Sequence, residues 1–63
     1  NPVTDYLFIE YQLSDINKQV QIMTILGNIV IETDLKNSID VSGLTKGIYF
    51  IRIGNQYFKF TKI

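Results

Sequence analysis

Apolar and polar positions alternate in short runs along this chain, and turn residues interrupt each run before it reaches helical length. The prevailing residues are Ile, Val, Thr, Tyr and Phe, whose branched or aromatic side chains fit a pleated sheet better than a helix. A first strand is expected over residues 6–12, where Leu7 and Ile9 face inward and alternate with Phe8 and Glu10. The Ser-Asp-Ile-Asn stretch at 14–17 reads as a turn, because these polar side chains can bond nearby backbone groups. A second strand, residues 18–25, turns Val20 and Ile22 inward and Gln19 and Gln21 outward. Leu26-Gly27-Asn28 then makes a tight connection, with Gly27 supplying angles that other residues resist. It leads into a third strand over 29–33, which completes a hairpin with the second.

After a turn at 34–37, a short strand over 38–41 carries Ile39 and Val41 on one face. Residues 42–47 form a longer corner in which Leu44 is expected to plug the end of the core. Gly47 opens the strongest strand, residues 48–53, and Gly54-Asn55 forms a two-residue hairpin turn into a last strand over 56–62. The expected core is Leu7, Ile9, Val20, Ile22, Ile25, Val30, Ile39, Val41, Leu44, Tyr49, Ile51, Ile53, Phe58 and Phe60. Short turns between consecutive strands make the pairing mostly antiparallel. Strands that each bury one face require two stacked sheets. The expected fold is all-β: a small antiparallel, Ig-like β-sandwich of six to seven short strands, forming one domain over residues 1–63.

Composition sharpens this reading. A chain of 63 residues buries only about 60% of the surface its unfolded form exposes, so it must use apolar residues densely. It is 46% hydrophobic and 13% aromatic, too apolar for a disordered linker. No run approaches the roughly 20 apolar residues of a membrane helix, and the opening Asn1-Pro2-Val3-Thr4-Asp5 is not a signal peptide. The chain reads as a module excised from a larger protein.

Six basic and six acidic residues balance to zero net charge, which argues against a nucleic-acid partner. All the acids lie at or before Asp40, and every charged residue after it is basic: Lys46, Arg52, Lys59 and Lys62. Two readings fit this asymmetry. Basic C-terminal strands could lie beside acidic N-terminal ones and pair with them, or the basic end could be read by a partner with an acidic groove.

Candidate chemistry is sparse. With no Cys and no His, disulfides, thiolate nucleophiles, Cys/His zinc sites and His-based triads are unavailable. Ser38 and Ser42 have no evident base. The four glycines fit no phosphate-binding motif. Glu32 and Asp34, two apart on a strand, make a solvated outward row more readily than a calcium site. No catalytic residue, cofactor or metal is therefore expected. The aromatics Tyr6, Phe8, Phe50 and Tyr57 fall on outward positions, where a cluster of them could bind a partner or stack on a sugar.

Three segments in order carry a family resemblance. Asn1 to Ile9 is similar to an opening "NPV.D.L.I", Val20-Gln21-Ile22 through Val30 to a "V.I.…G..V" hairpin, and Ile39 to Ile53 to "IDVS.L..G.Y...I". Lys59-Phe60-Thr61-Lys62 resembles a closing "KF.K". Together they resemble the type A C-terminal sorting domain of the type IX (Por) secretion system, over essentially the whole chain. The departures are Thr24 and Asn28 around the hairpin Gly, and a missing Tyr-Pro before Asn1, as though the chain were cut inside that motif. The resemblance implies a module that directs folded cargo through an outer-membrane translocon to the cell surface or beyond. A sortase-like cysteine protease would then remove it, at a site upstream of this chain. Asn1, Pro2, Gly27, Gly47, Tyr49 and Gly54 would be its structural motif residues.

The last strand is the expected recognition element, through Lys46, Arg52, Lys59, Phe60 and Lys62. If it lies at a sheet edge, its open backbone can be read by strand addition, and its lysines discourage indiscriminate pairing. An exposed edge would also permit a homodimer. The alternative reading is a carbohydrate-binding or adhesive accessory domain of a surface protein.

Overall fold

A computed structural model describes residues 2–11 and 18–63. The expected turn at 14–17, the end of the first strand at Gln12, and Asn1 lie outside the described residues. Within them the chain forms seven strands: β1 (Pro2–Val3), β2 (Tyr6–Phe8), β3 (Gln19–Thr24), β4 (Ile29–Asp34), β5 (Ser38–Asp40), β6 (Gly47–Ile53) and β7 (Gln56–Lys62). No helix occurs among the described residues.

Five strands form one sheet in the order β1-β7-β6-β3-β4, and β2 pairs with β5 in a second. All pairs are antiparallel except β1 with β7, which is parallel. The two inner faces enclose Val3, Val20, Ile22, Leu35, Ile39, Val41, Tyr49, Ile51 and Phe60, with Leu7, Ile9, Ile31, Leu44 and Ile53 packed against them. This is the expected all-β sandwich, and it agrees with an Ig-like arrangement.

Period-two alternation explains most of the core. Val20 and Ile22 on β3 are fully buried, and register places them beside Ile53 and Ile51 on β6. On β7, Phe60 falls opposite Tyr49, and the two rings stack with centroids 5.6 Å apart. The Tyr49 hydroxyl then donates to the Thr45 carbonyl at 2.7 Å, so the ring's polar end is satisfied as its body is buried. At the β6–β7 turn, Gly54 has φ +59 and Asn55 does not have a positive φ, the pattern of a type II′ hairpin.

Three expected core residues are exposed. Ile25 is 67% exposed because the chain has already left β3: the Gly27 N–H donates to the Thr24 carbonyl, and Thr24 Oγ1 accepts from the N–H groups of Leu26 and Asn28. Val30 is the extra residue of a bulge, since Ile22 pairs with Ile31 but Met23 with Ile29. With Ile31, Thr33 and Leu35 inward, alternation already leaves Val30 outside, and the bulge turns Ile29 outward as well. Phe58 shares the inner face with Phe60, but the three-residue strands β2 and β5 do not reach over it, and it is half-exposed. Two buried hydrophobic residues were not in the expected core. Val3 is covered through the parallel pairing of β1, and Leu35 through its N–H bond to the Lys18 carbonyl, which continues the β3–β4 ladder.

Candidate recognition surface

The strand expected to lie at an edge has neighbours on both sides. β7 pairs with β6 along its whole length and with β1 at Thr61 and Lys62. Among the described residues no strand pairs with residues 56–60 on that side. The other free edge of the large sheet is β4, which carries the bulge at Val30 and the acids Glu32 and Asp34; both features discourage edge-to-edge pairing.

The five recognition candidates separate by parity. Arg52 on β6 and Lys59 on β7 project from the outer face of the large sheet, and both are exposed. Lys46 is exposed on the corner preceding β6. Phe60 and Lys62 point inward. Phe60 is 3% exposed and serves the core. Lys62 is 8% exposed, with Val3 and Gly47 as its register partners. Its ammonium is not trapped, because no buried side-chain nitrogen or oxygen among the described residues lacks a partner. A long stem under cover with a wet head is the usual way a lysine occupies such a position.

Strand order also decides the charge asymmetry. β3 stands between acidic β4 and basic β6, so β4 cannot pair with the basic strands. Its acids meet the glutamines of β3 instead: Gln21 donates to Glu32 at 2.6 Å, and Gln19 donates to Asp34. Arg52, opposite Gln21, turns its Nε–H to the Gly54 carbonyl at 2.9 Å and lies 5.8 Å from the Tyr57 ring centroid. One polar row thus crosses four strands: Glu32, Gln21, Arg52, Tyr57. The next row is Ile29, Met23, Phe50, Lys59. Cations, a ring and apolar carbon share the β6–β7 side of this face.

Tyr57 was not among the recognition candidates, although the hairpin turn at Gly54-Asn55 places it opposite Arg52. The outward aromatics do not form one platform. Tyr6 and Phe8 are exposed on the small sheet, whereas Phe50 and Tyr57 lie on the far side of the large one.

At the sandwich end, the Ser42 hydroxyl and N–H both donate to Asp40 Oδ1, at 2.7 and 2.9 Å. These bonds hold the Asp40 carboxyl below its ordinary value of 3.8. Ser42 is thus part of a local turn, its hydroxyl held by the carboxylate two residues before it. Among the described residues no cluster of three or more acidic, Cys or His side chains could hold a metal, and no helix is long and apolar enough to cross a membrane.

A sequence model of the family described as the secretion system C-terminal sorting domain matches residues 1–63. No curated protein and no solved structure matches the chain.

Proposed function

Because this chain belongs to the type IX secretion C-terminal sorting domain family, we propose that its sorting signal is read on the outer face of the β6–β7 hairpin. The domain itself is a sorting signal for export across the outer membrane. The observation that carries the proposed surface is the shared projection of Arg52 and Lys59 beside Tyr57 and Phe50, on a face over which the described residues place no second layer. Such a surface suits a partner that offers carboxylates around an apolar centre, since charge complementarity speeds encounter and fixes register.

In this reading residues 1–63 are the terminal module of a longer exported protein, and the cargo precedes it. The translocon of the outer membrane is the partner that reads the hairpin. A sortase-like cysteine protease at the cell surface then severs the module from its cargo, which is left secreted or surface-held. The domain has no catalytic part in these steps. A sugar-binding role is not adopted, because the exposed rings are divided between opposite faces of the molecule.

Export of a reporter fused ahead of the chain, in a host with a working type IX system, tests the surface. The informative variant is Lys59→Glu with Arg52→Glu, because both side chains are exposed; Lys62 is a poor choice, since its stem is packed inside. The expected outcome is periplasmic retention of a variant whose circular dichroism and melting match the parent. Normal export of the folded double variant would overturn the proposed surface while leaving the sorting function intact.

A further inference from the structure

The outer face of the large sheet is apolar at the end that carries the β3–β4 turn. Ile29, Met23 and Phe50 share one row there, closed by Lys59. Continuing the register one step past Thr24 and Tyr49 brings Ile25 beside Ile48, and both are exposed. On the turn itself Leu26 is 84% exposed, more than any other large apolar side chain described. Single exposed apolar residues are ordinary, but Ile25, Leu26, Ile29 and Ile48 gather at one tip, as interaction sites do. The backbone of this turn is closed on itself. The N–H groups of Leu26 and Asn28 donate to Thr24 Oγ1, the Gly27 N–H donates to the Thr24 carbonyl, and the Thr24 N–H donates to the Asn28 carbonyl at 2.9 Å. The charges beside the tip on this face are cations: Lys59 in the adjoining row, and Lys46, exposed just before Gly47. The acids Glu32 and Asp34 begin one row further from the turn and are bonded to Gln21 and Gln19.

We propose that the β3–β4 turn is a membrane-interface anchor: Ile25 and Leu26 enter the acyl boundary of an anionic phospholipid surface, and Lys46 and Lys59 lie among its headgroups. Three features select lipid over a protein groove. A projecting turn needs no complementary pocket in a fluid surface. Hydrocarbon offers no hydrogen bonds, so a turn enters it only when its polar backbone groups are already paired, and Thr24 pairs them here. Cations beside an apolar tip match the negative potential of anionic headgroups. The inference rests on the reading of the chain as a domain that works at the outer membrane. It adds a second contact to the one proposed for the β6–β7 hairpin, whose turn lies at the opposite end of the same face. Arg52 follows Ile48 on β6 by four residues, roughly 13 Å along the strand. A domain seated on its tip therefore holds Arg52 and Tyr57 clear of the bilayer, where the translocon can reach them.

Co-sedimentation of the full chain with vesicles of phosphatidylglycerol and phosphatidylcholine tests it. The parent should bind these, and should bind phosphatidylcholine alone less. Ile25→Ser combined with Leu26→Ser should bind at least about tenfold more weakly, because transfer of the two side chains out of water is the main favourable term. Both residues are exposed, so circular dichroism and melting of the variant should match the parent. A fluorophore on Leu26→Cys, in a chain with no other Cys, should shift to the blue when anionic vesicles are added, and the same label on Asn55→Cys at the far turn should not. No binding of the parent, equal binding to neutral vesicles, or equal binding of the folded double variant overturns the proposal, as does a label at residue 26 that stays in water. Failed reporter export by the double variant, with no lipid binding by the parent, would assign the tip to a protein and also overturn it. Vesicle binding is read without export, so normal export of Arg52→Glu with Lys59→Glu would remove the hairpin reading and leave the lipid result standing.

Discussion

Tyr49 joins two tasks in one side chain. Its ring stacks on Phe60 in the core, and its hydroxyl donates to the Thr45 carbonyl, tying the corner before β6 to the strand. Tyr49→Phe keeps the ring and removes the bond, which should cost about 1 kcal/mol. That corresponds to a fall of about 4–8 °C in melting temperature for a domain of this size. Asp40 acts at the other end of the same corner and is sensitive to acid. The bonds from Ser42 lower its carboxyl in the folded state, so the unfolded chain binds the proton more readily. Its contribution is therefore fully present above about 3.8 and disappears as pH falls through the lowered folded value. Denaturation of Asp40→Asn followed from pH 5 to pH 2 should show a smaller acid-induced loss of stability than the parent, and parallel curves would refute the assignment.

At the scale of elements, β4 shows how a run of consecutive apolar residues hides which side faces the core. Ile29, Val30 and Ile31 are consecutive apolar residues, so the run alone does not say which of them faces the core. Glu32, Asp34 and their alternation with Ile31, Thr33 and Leu35 put Val30 outside, and the slip of the ladder with β3 at Val30 puts Ile29 outside too. Val30→Lys is accordingly expected to change stability by no more than about 0.5 kcal/mol, as for other exposed positions. Ile31→Lys, which pushes a charge against the core edge, should lower the melting temperature visibly. Thermal melts of the two variants compare the faces directly. The hairpins, by contrast, are set locally. Gly27 and Gly54, both at positive φ, fix the turns between β3 and β4 and between β6 and β7, and the pairing of Arg52 with Tyr57 follows from the second.

For the whole molecule, small size makes every core contact matter. A domain of 63 residues has a folding free energy of roughly 3–9 kcal/mol at ordinary values per residue. Ile22 is fully buried on β3, between β6 and β4 in the large sheet, and truncation of such a residue costs about 2–5 kcal/mol. Ile22→Ala should therefore leave a large unfolded fraction at 37 °C, seen as loss of cooperative melting; a sharp transition near that of the parent would contradict this packing. The sequence by itself determined the strands expected over 18–25 and 48–53, observed at Gln19–Thr24 and Gly47–Ile53, the turns at Gly27 and Gly54, the inward set Val20, Ile22, Tyr49 and Ile51, and the family motifs that identify a sorting domain. Each depends on alternation or backbone freedom within a few residues of chain. Only the tertiary structure decided that β3 separates the acids of β4 from the cations of β6, that Lys62 lies under cover while Arg52 and Lys59 stay in water, and that β1 pairs in parallel with β7. Those outcomes depend on which strands become neighbours across dozens of residues, and hydrophobic alternation is blind to neighbour order because it says only which face of a strand is dry.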